Sequence, residues 1–127
     1  MAFELINPSS VHEPTGYSHA AKVGNMLYIS GQVAVAPDGQ VVGRGDIEAQ
    51  AHQVFANLRA VLRDQGAELD RIFKMTTLIT HPSYLEPFRA ARNEALSAPF
   101  PANTLHVVQA LAGPDWLIEV EAIALLD

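Results

Sequence analysis

The sequence predicts an α+β fold, a single mixed sheet with two helices packed on one of its faces. Three observations predict it. Strand-like runs alternate with two helical ones, and the strands outnumber the helices. The last strand-like run, Trp116 to Leu126, is apolar on both of its sides, which suits a strand covered on both faces. With 127 residues, 49% hydrophobic and 17% charged, the chain suits one domain, 1–127, with a sizeable core.

The elements follow in order. "NPSSVHEPTG" (Asn7 to Gly16) is rich in Pro, Ser and Gly and reads as a loop. "HAAKVGNMLYISGQVAV" reads as a hairpin of two short strands around a Gly24-Asn25 turn. Asp38-Gly39 is a second hairpin signal, which adds a short third strand in "QVVG". Asp46 to Gly66 is the clearest helix. Asp46 suits an N-cap, Gly66 a C-terminal stop, and Ile47, Ala51, Val54, Phe55, Leu58, Val61 and Leu62 form one stripe at helical spacing. Glu48, Gln53, Arg59 and Arg63 take the solvated side. "RIFKMTTLIT" is β-branched and reads as a strand. A second helix is expected from about Pro87 to Leu96, with Ser83 and Glu86 at capping-box spacing. "APFPAN" reads as a loop, "TLHVVQAL" as a strand and "AGPD" as a turn before the last strand.

Composition narrows the function. There are no cysteines, which removes disulfides, thiol nucleophiles and Cys-based zinc sites and fits a cytoplasmic location. "MAFELINPSS" lacks the basic start and apolar run of a signal peptide, and no apolar stretch reaches the roughly 18 residues of a membrane span. Net charge is −6 and the eight basic residues are scattered, so no nucleic-acid patch is expected. His12, His19, His52, His81 and His106 form no metal-site spacing, so no metal site is expected from them. Ser30 lies in "ISGQ", outside any G-x-S-x-G elbow.

The remaining chemistry sits in "WLIEVEAIALL". Glu119 and Glu121 are two residues apart and so share a strand face, with Cβ atoms roughly 7 Å apart. A partly buried pair raises one pKa and suits acid/base work, although a pair matched to cations or backbone N–H groups serves structure alone. Gly31, following Ser30, lets a ligand or another backbone approach closely. Two helices cover one face of the sheet, so a further subunit is expected on the other.

Taken together, "GYSHAAKVGNMLYISGQVAV", "DIEAQAHQVFANLRAVLRDQGAELDRIFKMTTLIT" and "FPANTL…WLIEVEAIAL" resemble the Rid/YjgF family, the reactive-intermediate deaminases, from about Gly16 to Leu126. The resemblance implies one Rid/YjgF-like, chorismate-mutase-like domain in a trimeric, barrel-like assembly with clefts between subunits. It implies hydrolysis of reactive enamines and imines to 2-keto acids and ammonia, without metal or cofactor. Tyr17, Ser30, Gly31 and Glu119 match the family's cleft residues, with Glu119 as the water-activating, catalytic carboxylate. Glu121 matches a second acidic position, read as structural. In the family an arginine in P-A-R-S binds the substrate carboxylate. Here the run is "PANT", so Asn103 stands in its place, followed by Thr104 and by Leu105, the next cleft position. The family's "GPY" is "TGY".

An Arg fork clamps a carboxylate with two charge-assisted bonds, whereas Asn offers neutral donors and one acceptor. A charged bond contributes about 1.5–3 kcal/mol against roughly 1 for a neutral one. A standard 2-imino acid is therefore a poor fit, unless Lys22, Lys74, Arg44, Arg89 or Arg92 supplies another cation. The expected function is binding or hydrolytic deamination of a small imine, enamine or carbonyl metabolite by a homotrimer. The alternatives are a non-enzymatic small-molecule-binding or interaction protein on the same scaffold and, against the charge balance, an endoribonuclease or translation inhibitor.

Overall fold

A computed structural model describes residues 2–127. Six strands form one sheet: β1 (Glu4–Ile6), β2 (Ala20–Val23), β3 (Met26–Gln32), β4 (Ile72–Ile79), β5 (Ala102–Val107) and β6 (Ile118–Leu125). Their spatial order is β1-β2-β3-β6-β4-β5, and only β4 and β5 pair in parallel. Two helices complete the fold, α1 (Ile47–Asp64) between β3 and β4 and α2 (Leu85–Ala95) between β4 and β5. β6 inserts between β3 and β4, antiparallel to both, so the last strand made is the centre of the sheet. Its Ile118, Val120, Ala122 and Ala124 side chains are buried on the helix side, while Ile123 and Leu125, with Glu119 and Glu121, face the open side and are only partly covered or exposed.

α1 forms where the stripe predicted it. The Asp46 side chain accepts from the Ala49 N–H at 3.1 Å and caps it. Its buried side rests on β3 and β6, and Phe55 stacks on Phe88 of α2 with ring centroids 6.2 Å apart. The core lies between helices and sheet, where Leu27, Leu58, Met75, Ile118 and Val120 are buried. Gln50 and Asn57, one heptad apart, are buried in the same helical side. Asn57 Nδ2 donates to the carbonyls of Val33 and Val35, each at 3.0 Å. Gln50 donates to the carbonyls of Gly43 and Asp115 and accepts from the Leu117 N–H at 2.9 Å. These two side chains tie the loops after β3 and before β6 to α1.

Four local expectations are corrected. β1 was not expected, and its short stretch joins the sheet only by pairing with β2. "QVVG" contributes a single bridge, Val35 to Val41, instead of a strand. α2 starts at Leu85, and Ser83 lies in a 3₁₀ turn (Pro82–Tyr84) capped by the His81 side chain, not in a capping box. β5 begins at Ala102 and ends at Val107, because parallel pairing with β4 recruits "AN" from the expected loop. The Gly24-Asn25 hairpin holds. Gly24 has φ +60° and, among the described residues, no non-glycine residue has a positive φ, which is the type II′ pattern. Among the described residues no helix is long and apolar enough to cross a membrane.

Candidate functional site

The face of the sheet away from the helices carries the candidate chemistry. Its side chains line up in rows across the strands: Leu5, Ala21, Tyr28, Ile123 and Lys74 in one, and Glu119, Leu78 and His106 in another. Between them β3 bulges. Ile29 opposes Ala122 and Gln32 opposes Val120, which leaves Ser30 and Gly31 opposite Glu121 alone. The extra residue lets Ile29 and Gln32 both stay buried while Ser30-Gly31 bows toward the open face.

Glu119 lies over that bulge. A Cβ on Gly31 would overlap the Glu119 carboxylate, at 2.7 Å from Cδ and 2.9 Å from Cγ. Only glycine leaves room for the carboxylate there. Burial pushes the Glu119 pKa above the ordinary carboxylate value, and the Glu121 charge adds to the effect. Burial, and then the Glu119 charge, push the Tyr17 phenol upward as well.

The Asn7–His19 segment holds Tyr17 at this position through a network that spacing did not reveal. The Tyr17 hydroxyl meets His12 Nε2 at 3.0 Å. The fully buried His19 bonds the His12 carbonyl through Nε2 at 2.7 Å and Gln32 Nε2 through Nδ1 at 3.1 Å. Ser30 Oγ donates to the Ser18 carbonyl at 2.6 Å, so this hydroxyl is used to anchor the loop. Two histidines flanking the tyrosine in "VHEPTGYSH" were the available signal, but no pattern joins them to Gln32.

Asn103 and Leu105 lie elsewhere in the chain. They pair with Met75 and Thr77 of β4, whose side chains are buried on the helix side. Thr77 Oγ1 donates to Asn103 Oδ1 at 2.9 Å, which leaves the Asn103 amide N–H groups as donors. Leu105 packs against the core cluster. Within the chain, then, Tyr17, Ser30, Gly31 and Glu119 come to the open face, while Asn103 and Leu105 sit on the opposite face at the β5 edge.

A concavity of 860 Å³ covers the open face, lined by Tyr17, Tyr28, Ser30, Lys74, Thr76 and Glu121 among others. It adjoins the Glu119–Gly31 contact without including either residue. Of the five cations considered, Lys74 alone lines it, with Nζ 2.8 Å from the Met75 carbonyl and 3.5 Å from Thr104 Oγ1. Arg44 pairs with Asp115, Arg89 with Glu86, and Arg92 contacts Asn93 and Phe100. Lys22 lies in a small surface depression near Phe3.

Comparison with known proteins bears on this geometry. The family described as Endoribonuclease L-PSP matches residues 9–126. A RutC family protein of Pyrococcus abyssi is 34% identical over 125 residues, 98% of each chain. A protein of Dermatophagoides farinae named 2-iminobutanoate/2-iminopropanoate deaminase is 28% identical over 124 residues, 97% of this chain and 96% of its own. The crystal structure of RidA from an Antarctic Psychrobacter superimposes with a TM-score of 0.89 at 31% identity, covering 96% of this chain and 98% of that one.

Proposed function

The chain belongs to the Endoribonuclease L-PSP family, the Rid/YjgF proteins, and from that premise we propose that it hydrolyses a small imine or enamine in a cleft between subunits of a homotrimer. The observation that carries the reading is the half-buried Glu119 carboxyl seated over Gly31, with raised proton affinity, on the open face where Tyr17 and Ser30 line the concavity. A carboxylate with a raised pKa is a better base toward water and, once protonated, a usable acid at neutral pH. Glu119 takes a proton from water as its oxygen adds to the C=N carbon and gives it to the nitrogen, forming a carbinolamine; it then takes the carbinolamine hydroxyl proton and passes it to the nitrogen as the C–N bond breaks. The imine and one water become a carbonyl compound and ammonia.

The reading draws Asn103 from a neighbouring subunit, because Asn103 and Glu119 occupy opposite faces of one sheet. Exposed Leu5 and Tyr28 on the open face support a second copy there. Asn103 then offers neutral N–H donors where the family's arginine would bring a charge. This favours substrates that present a neutral acceptor group over standard 2-imino acids.

An ammonia-release assay tests the proposal, using imines with and without a carboxylate. Release is expected above the uncatalysed rate and is lost in Glu119→Gln. No release from any imine, together with ligand-dependent thermal shifts, would make the protein a small-molecule binder instead. Asn103→Arg is expected to raise 2-iminopropanoate hydrolysis by up to about 100-fold, the scale on which restored positioning acts. An unchanged rate in a folded variant counts against the role given to Asn103.

A further inference from the structure

We infer that His12 is a positioning residue for Tyr17: a neutral imidazole protonated at Nε2, it donates to the phenol oxygen and turns the phenol's own O–H toward the ligand. The inference deepens the function proposed above, since it names what that site recognises. A ligand in this cleft would present an acceptor oxygen, as a carbonyl, amide or carboxylate group does, to the Tyr17 hydroxyl.

Geometry decides the direction of the hydrogen bond. His12 Nε2 lies 3.0 Å from the Tyr17 oxygen. A neutral imidazole has one N–H and one lone pair, so two arrangements exist. In the first the proton sits on Nδ1, and Nε2 accepts from the Tyr17 O–H. The phenol proton is then consumed inside the protein. In the second the proton sits on Nε2, and the phenol proton is free for the cleft.

The surroundings of Nδ1 separate them. This atom is buried, and no protein group among the described residues bonds it. Burying an unpaired N–H strands a strong donor, whereas burying an imidazole lone pair strands only an acceptor, and orphaned buried N–H groups are the rarer case. The Nε2–H form is therefore favoured.

The ring cannot easily turn to escape this choice. His19 packs edge-on against it with centroids 4.8 Å apart at 89°, and His19 also packs edge-on against Tyr17 at 5.7 Å. His19 is itself fixed. Gln32 Nε2 donates to the Ser30 carbonyl at 3.1 Å and to His19 Nδ1, so His19 carries its proton on Nε2 and donates it to the His12 carbonyl. The chain of partners runs from the β3 bulge through His19 to His12 and out to Tyr17. The bulge that makes room for Glu119 thus also sets the phenol. Burial and the neighbouring His19 both lower the His12 pKa, in keeping with a neutral ring.

Nitrogen-15 NMR of the histidine side chains in the intact protein tests the tautomer directly, with no substrate. The expected spectrum shows His12 protonated at Nε2 alone at neutral pH. An Nδ1–H tautomer, or a doubly protonated ring, overturns the inference even if the protein proves to be a deaminase. Kinetics or ligand binding supplies the second arm. His12→Phe keeps a ring but no donor, and is expected to weaken turnover, or ligand affinity if no turnover exists, by about tenfold. His12→Gln, whose amide N–H sits near the place of Nε2–H, is expected to restore most of it. Adding His12→Phe to Tyr17→Phe is expected to cost nothing further. Full activity in His12→Phe, no rescue by Gln, or independent losses in the double variant would each defeat the assignment.

Discussion

At the scale of single residues, Gly31 and Glu119 form one unit. An added methyl at residue 31 meets the end of a flexible glutamate, not backbone, so the fold yields cheaply and the carboxylate moves. Gly31→Ala is expected to keep a near-native melting temperature while ammonia release drops by about 100-fold, the penalty for a catalytic group displaced by around an ångström. Calorimetry beside the assay checks both halves. Glu119 also gives stability a pH dependence. Its folded-state pKa is raised, so the native state holds that proton more tightly than the unfolded chain does. Its contribution is fully present below the ordinary carboxylate pKa and is lost as pH rises through the raised value. Melting temperatures across this window are expected to show Glu119→Gln matching the wild type in acid and exceeding it at neutral pH. A constant difference at all pH values would mean the carboxyl is not perturbed.

At the scale of elements, α1 does more than cover the sheet. The Gln50 amide satisfies the carbonyls of Gly43 and Asp115 and the Leu117 N–H, and so holds the entry to β6 two residues before Glu119. Removing it leaves three part-buried backbone groups without this partner, and an unpaired buried group costs about 1–3 kcal/mol. Gln50→Ala is expected to lower stability by about 3 kcal/mol, read as a shifted urea midpoint with an unchanged slope. The apolar stripe of α1 was plain in the sequence because its period is local. The buried Gln50 and Asn57 interrupt that stripe one heptad apart, yet the loops they bind lie 65 and 22 residues away. Spacing along one helix carries no trace of such partners.

At the scale of the molecule, the sheet is covered on one face and open on the other. The row Leu5, Ala21, Tyr28 and Ile123 gives the open face an apolar band, with Leu5 54% and Tyr28 44% exposed. If three copies close on these faces, sedimentation gives a mass three times 13.7 kDa. Tyr28→Glu would place a charge on the proposed interface and is expected to yield folded monomers without ammonia-releasing activity. A trimer that tolerates this change would move the interface elsewhere.

The sequence by itself determined the α+β class, the two helices, the family resemblance and the shared face of Glu119 and Glu121. Each is written in local periodicity or in residue types at fixed spacing. Period two alone places both glutamates on one side of β6. Only the tertiary structure decided which side that is, that β6 lies at the centre of the sheet, and that "AN" joins β5 through parallel pairing. It also assigned Asn103 to the face opposite Glu119 and linked His12, His19 and Gln32 behind Tyr17. These are choices of register and contact between segments far apart in the chain. Their free energy depends on which surfaces meet, and no short stretch of sequence contains both.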